Sequence, residues 1–160
     1  MVAVARKSFD ELYRVIRDLP EGQRGEILAA GELHVTMGRP GKKHRRAAQV
    51  LHHALAARDA NVGGTGWWVE LEPEVRFGER LFDPDLAAAD DVRIKLPGYV
   101  AAGVPFVWII DPTGHLVQVY AARDGKPLLL TTASDEEAAR LPPFDVDIDV
   151  RRLWTSPKPE

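Results

Sequence analysis

Seven residues, Val104 to Ile110, form an apolar run broken only by Pro105, with Gly103 before it and Asp111-Pro112-Thr113-Gly114 after it. A run without alternation has no face to leave in water, so it reads as a central strand. A strand of that kind needs helices to cover it, and helix-period segments occur on both sides of it in the chain. Ser8-Phe9-Asp10-Glu11 is a capping box, with Ser8 at the N-cap and Glu11 at N3. It opens a helix through Leu12, Val15, Ile16 and Leu19 that Pro20 ends. A second helix spans His44 to Arg58, with Ala47, Ala48, Leu51, Ala54 and Leu55 on its apolar side, before Asn61-Val62-Gly63-Gly64-Thr65-Gly66 breaks it. A third covers Asp90 to Ala102, with Gly103 as its stop.

Strand signals fill the remainder. Glu26-Ile27-Leu28 and Glu32 to Met37 flank Ala30-Gly31 as a hairpin. Trp67 to Ala88 reads as β, interrupted at Pro73 and turned at Gly78-Glu79. Leu116 to Tyr120 follows the turn after the apolar run, and Asp124-Gly125 turns again into Leu128 to Thr132. The alternation Val146 to Val150 and a short Arg151 to Trp154 segment close the fold. Nothing repeats and no linker interrupts, so the expectation is one mixed α/β domain over residues 1–154, followed by a tail over 155–160.

With 160 residues the chain is long enough to bury a core without staples, and it contains no cysteine. Disulfides and thiolate metal ligation are therefore excluded, which fits a reducing compartment. No stretch approaches membrane-spanning length and the N-terminus has no apolar leader, so the expected location is cytoplasmic, with no membrane partner. The net charge of −3 argues against a uniformly basic surface. Charge is segregated, however. Arg39, Lys42, Lys43, His44, Arg45 and Arg46 crowd one segment, while Glu70, Glu72, Glu74, Asp83 and Asp85, then Asp145, Asp147 and Asp149, concentrate acid. Phosphates suit the first group and a cation the second; the plain alternative is solvated helix and strand faces.

Phosphate loops, zinc-ligand spacing, nucleophile elbows and dinucleotide fingerprints are missing. His52 and His53 are adjacent on a helix and face different ways, and no histidine pair has the i, i+4 spacing of a helical metal site. Carboxylates on strands remain. Asp83 and Asp85 are two apart and share one face of an extended segment, an oxygen-rich arrangement suited to Mg²⁺ or Mn²⁺, or simply a solvated strand edge. Lys95 follows on the third helix. An ammonium near a metal-held phosphate can orient the attacking water and stabilise the pentavalent transition state. The four tryptophans are expected to pack rather than to stack on bases.

Three stretches carry a resemblance to a known family: Glu26-Ile27-Leu28 with Gly31-Glu32-Leu33 and His44; Pro84-Asp85-Leu86; and Lys95-Leu96-Pro97-Gly98-Tyr99 through Ala102-Gly103-Val104-Pro105 to Trp108-Ile109-Ile110-Asp111-Pro112. Together with the ending Pro143-Phe144-Asp145-Val146 to Leu153-Trp154, they resemble the Uma-two family of restriction-endonuclease-like proteins over nearly the whole chain. The resemblance implies a PD-(D/E)XK core, a mixed sheet flanked by helices around a divalent-metal site. It implies Asp85 and Glu26 as metal ligands, Lys95 as the motif lysine and His44 facing substrate. One departure stands out. The family carries a strand with its second acidic ligand between P-D-L and the lysine helix. Here Ala87-Ala88-Ala89-Asp90 runs straight into Asp91-Val92-Arg93, too few residues for that strand.

Two functions follow as expectations. The first is a Mg²⁺-dependent DNA endonuclease with catalytic Asp85, Lys95 and Glu26 and a DNA-binding segment Arg39, Lys42, Lys43, His44, Arg45 and Arg46, working as a homodimer where both strands are cut. The second is a nuclease-fold protein without activity that binds nucleic acid or protein.

Overall fold

The capping box at Ser8 closes as its spacing requires. A computed structural model gives the structure of residues 6–37, 41–60, 63–64, 74–82, 95–135 and 138–155. Helix α1 runs from Phe9 to Arg17. The Ser8 hydroxyl accepts from the Glu11 backbone N–H at 3.4 Å, and the Ser8 N–H donates to the Glu11 carboxylate at 2.8 Å. The Ser8 hydroxyl also donates to that carboxylate at 2.9 Å, and the two donors, the backbone N–H first and the hydroxyl second, hold the Glu11 carboxyl below its ordinary pKa. The helix ends one turn before Pro20, since Leu19 already lies beyond its C-cap, Asp18.

The chain forms two compact units, Met1–Arg39 with Glu72–Asp85, and Pro40–Leu71 with Leu86–Glu160. In the first, β1 (Gln23–Ala29) and β2 (Glu32–Met37) make the expected hairpin, turning at Gly31 with φ 80°. A second hairpin joins β3 (Val75–Phe77) to β4 (Arg80–Phe82) across Gly78, φ 60°. The sheet order is β2-β1-β4-β3, every pair antiparallel, and Ile27 opposite Leu81 ties the hairpins together. Both residues are buried with Phe9 and Leu12 of α1, and Tyr13, Ile16 and Leu33 pack around them. Gly25 has a reason to be glycine. A Cβ there would lie 2.6 Å from the Ile16 side chain, so its absence is what lets α1 settle on β1.

The larger unit is built on α2 (Lys42–Leu55), which tightens into a 3₁₀ turn at Ala56–Arg58. Helix α3 (Leu96–Ala101) stops at Gly103, φ 84°, as expected of a left-handed C-terminal glycine. Strands β5 (Phe106–Asp111), β6 (Leu116–Arg123) and β7 (Lys126–Ala133) form an antiparallel meander. The β6–β7 turn has both central residues at positive φ, Asp124 at 50° and Gly125 at 71°, which is the twist-matched two-residue hairpin. A short ladder of β8 (Ala139–Arg140) and β9 (Asp147–Ile148) and a 3₁₀ segment Val150–Leu153 complete the unit. Ala47 and Leu55 of α2, Ile110, Val117 and Val119 of the meander, and Ile148, Val150 and Leu153 share one core.

The run Val104 to Ile110 supplies β5, as expected of an apolar strand. Among the described residues β5 is an end strand of its sheet, order β5-β6-β7. Its two faces are nonetheless both covered. Val107 and Ile109 meet Leu96 and Val100 of α3, while Trp108 and Ile110 meet the main core. Continuous apolarity reports two covered faces and says nothing about paired edges. The described architecture is α+β, antiparallel sheets with a few helices. Among the described residues no helix is long and apolar enough to cross a membrane.

Candidate functional site

Glu26 sits in the middle of β1 and is 7% exposed. Its orientation follows from its neighbours. Gly25 and Ile27 face α1 through Ile16, Phe9 and Leu12. Alternation then turns Glu26 to the opposite face of the sheet. The same logic applies to β4: Leu81 lies on the α1 face, so Phe82, fully buried, lies on the face of Glu26. A carboxylate is seldom this enclosed without a purpose or a partner. Strand β4 ends at Phe82 and the chain continues into Asp83-Pro84-Asp85. Asp83 and Asp85 lie outside the described residues, as do Arg39, Glu70, Glu72, Trp67 and Trp68.

Lys95 belongs to the larger unit, half-buried at the N-cap of α3. The basic segment starts α2 in the same unit, one residue beyond its N-cap, Gly41, which offers no side-chain cap. Lys42, Lys43 and Arg45 are exposed, whereas His44 and Arg46 are half-buried. No acid occupies the first turn of α2. Cations at this end of a helix oppose its macrodipole, so the segment is arranged against local helix stability. Among the described residues none of Lys42, Lys43, Arg45 and Arg46 forms an ion pair.

His44 lies within electrostatic reach of Asp111 at the end of β5. One Asp111 carboxylate oxygen accepts from the backbone N–H of Thr113 at 2.9 Å and of Gly114 at 2.8 Å. The Gly114 bond above all, then that of Thr113, holds the Asp111 carboxyl below its usual range, and His44 and His115 assist. His115, at φ 53°, stacks on Trp154 with ring centres 5.1 Å apart, and the Trp154 indole donates to Asp135 at 3.3 Å. Trp108 donates to the Pro142 carbonyl at 2.7 Å and meets Phe144 edge-on. These two tryptophans pack, as expected of them.

The two adjacent histidines of α2 do diverge. His52 turns toward buried Asp59, at 3.5 Å, and His53 toward a cavity. That cavity, about 350 Å³, lies between α2 and the β9 segment, with Arg46, Gln49 and His53 on one side and Asp147, Asp149 and Arg152 on the other. The sequence singles out Arg46 in the basic segment and marks His53 only as diverging from His52, and it singles out neither Gln49 nor Arg152. A signal for Gln49 and His53 is present, since Arg46, Gln49 and His53 follow at i, i+3, i+7 and form a polar stripe on one helical face.

Among the described residues no group of three or more His, Asp or Glu side chains could hold a metal ion. Of the expected ligands they contain Glu26 alone, so they do not by themselves fit a metal centre. No model of a known protein family and no curated protein matches the chain.

Proposed function

We propose that this chain is a PD-(D/E)XK-type protein of the Uma-two kind that hydrolyses phosphodiester bonds of DNA with Mg²⁺ or Mn²⁺ in the cytoplasm. The observation that supports it most is the enclosure of Glu26 in β1, on the face opposite α1, beside the strand that leads into Asp83-Pro84-Asp85. Glu26 and Asp85 would hold the metal, which when bound neutralises the scissile phosphate and lowers the pKa of its water. In this reading Lys95 orients that water. Lys42, Lys43 and Arg45, with Arg39 before them, draw in the phosphate backbone, and His44 faces the substrate. A homodimer would match the two-fold symmetry of a duplex cut on both strands.

The test is nicking of supercoiled plasmid with Mg²⁺ or Mn²⁺, comparing wild type with Asp85→Ala and Glu26→Gln. Metal-dependent nicking that falls more than a hundredfold in Asp85→Ala is the expected result. Absence of metal-dependent cutting, or cutting indifferent to both substitutions, overturns the hydrolytic function. A second reading, a nuclease-fold module that binds nucleic acid without cutting it, is favoured by the short Ala87–Asp91 joint, which has no room for a further ligand strand. Retarded DNA migration that needs Lys42 and Lys43, with no cleavage under any metal, would establish it.

A further inference from the structure

We propose that the cavity between α2 and the β9 segment is a binding site for a phosphate monoester of mononucleotide size. It lies wholly within the larger unit and does not depend on Glu26 or Asp85.

The charges around the cavity do not cancel, because its acids are already taken. Asp147 receives both Nε and Nη2 of Arg140, at 3.2 and 3.3 Å. Asp149 receives both Nε and Nη2 of Arg151, at 3.2 and 3.4 Å. Two-pronged pairs of this kind fix the carboxylates and answer their charge. The cavity's own arginines, Arg46 and Arg152, form no ion pair among the described residues. The Nε of Arg46 is in addition buried, with no hydrogen-bond partner among them. A buried donor left without an acceptor is disfavoured, so the described residues leave this nitrogen unsatisfied. His53 adds a third nitrogen-bearing side chain and Gln49 an amide.

Guanidinium groups select a phosphate or carboxylate by shape as well as by charge. Three further features favour a phosphate that carries an organic group. The volume of about 350 Å³ far exceeds a bare anion and falls at the small end of ligand pockets. Val50, Ala54 and Ile148 give it an apolar wall for a flat or aliphatic body. The carboxylate oxygens of Asp147 and Asp149 keep lone pairs beyond those engaged by arginine, and these can accept from hydroxyl or amino groups. Sugar hydroxyls and the exocyclic amine of a base offer such donors at a distance from the phosphate group, where a bare anion held by the arginines does not reach.

Calorimetric titration of the full chain with adenosine 5′-monophosphate, inorganic phosphate and adenosine tests the proposal. The nucleotide should bind at least tenfold more tightly than either of its parts. Arg152→Gln, at an exposed position, should weaken nucleotide binding at least tenfold, and Arg46→Gln should do the same where its circular dichroism shows it folded. Lys126→Gln, exposed in the same unit but outside the cavity, should leave the affinity unchanged. No binding at millimolar nucleotide, adenosine binding as well as its monophosphate, or an equal loss in Lys126→Gln would each overturn the proposal. The last result would assign the attraction to the charge of the unit as a whole.

Discussion

Ile27 is the residue through which the two hairpins of the smaller unit lock, and shortening it by one methylene measures how firmly. It is fully buried, sits opposite Leu81 across the β1–β4 pair, and packs with Phe9 and Leu12. Ile27→Val removes one CH₂, a transfer loss of about 0.8 kcal/mol. A residual void of about 25 Å³, at roughly 24 cal/mol per Å³, adds about 0.6 kcal/mol where the neighbours do not close in. The expected destabilisation is therefore about 0.8–1.4 kcal/mol. Hydrogen exchange of peptides covering β1 and β4 reads this locally, because opening of the pair exposes their amides. Exchange should run about four- to tenfold faster in the variant, as tenfold corresponds to about 1.4 kcal/mol. Protection equal to wild type would refute the reasoning, since it would mean that the β1–β4 pairing does not depend on this side chain.

The Asp111 carboxyl has a folded-state pKa below its ordinary 3.8, so its contribution to stability is complete above that value and is lost as pH falls through the depressed one. Melting curves of wild type and Asp111→Ala should differ near neutral pH and converge in strong acid; a constant gap across the series would contradict the hydrogen-bonded carboxylate. Ser8→Ala removes the cap of α1 and should lower stability by about 1 kcal/mol in urea unfolding, whereas Ser8→Asp should retain most of it. Gly125→Ala forces an L side chain onto φ 71° and should destabilise by about 1 kcal/mol, with Gly125→Asn milder. DNA affinity resting on three exposed cations, Lys42, Lys43 and Arg45, should fall with a log–log salt slope of about −2.7 on duplex, and Lys43→Gln should flatten it by about 0.9. A slope near zero would remove this segment from the interface.

Legibility in the sequence followed the range of the forces. The Ser8 cap, the Ala30-Gly31 hairpin, the Gly103 stop and the Asp124-Gly125 turn were all readable, because each is decided by backbone chemistry within four or five residues. Helix α2 starts at Lys42, two residues before the His44 that its sequence pattern predicts. Its apolar stripe begins only at Ala47, and Gly41 offers no side-chain signal for a cap. Which strands adjoin β5 is not readable, since apolarity on both faces of a strand tells which layers cover it and not which strands pair with its edges. The resemblance singles out Glu26 as a ligand but says nothing of its enclosure; the physical reason for that, that Gly25 and Ile27 are claimed by α1, needs the helix in place. The cavity residue Arg152 lies far along the chain from the α2 stripe it faces, and no local pattern announces such a meeting.

Charge shows the same distinction between sum and arrangement. A net charge of −3 argues against polyanion binding only if the acids stand free to repel one. At Asp145, Asp147 and Asp149 they do not. Arg140 alone engages Asp145 and Asp147, at 3.2 Å each, and Arg151 engages Asp149. The acidic alternation near the C-terminus, conspicuous in the sequence, is thereby spent on arginines of its own neighbourhood. At physiological salt a charge is screened beyond about 8 Å, so a phosphate arriving at α2 responds to the groups beside it and hardly to the molecular total. Those groups are four cations with no acid in the first turn of their helix. Because the macrodipole disfavours them there, the free protein gains nothing in helix stability from keeping them together. A bound phosphate is attracted both by these cations and by the positive end of the helix, and those attractions offset the opposition between the two.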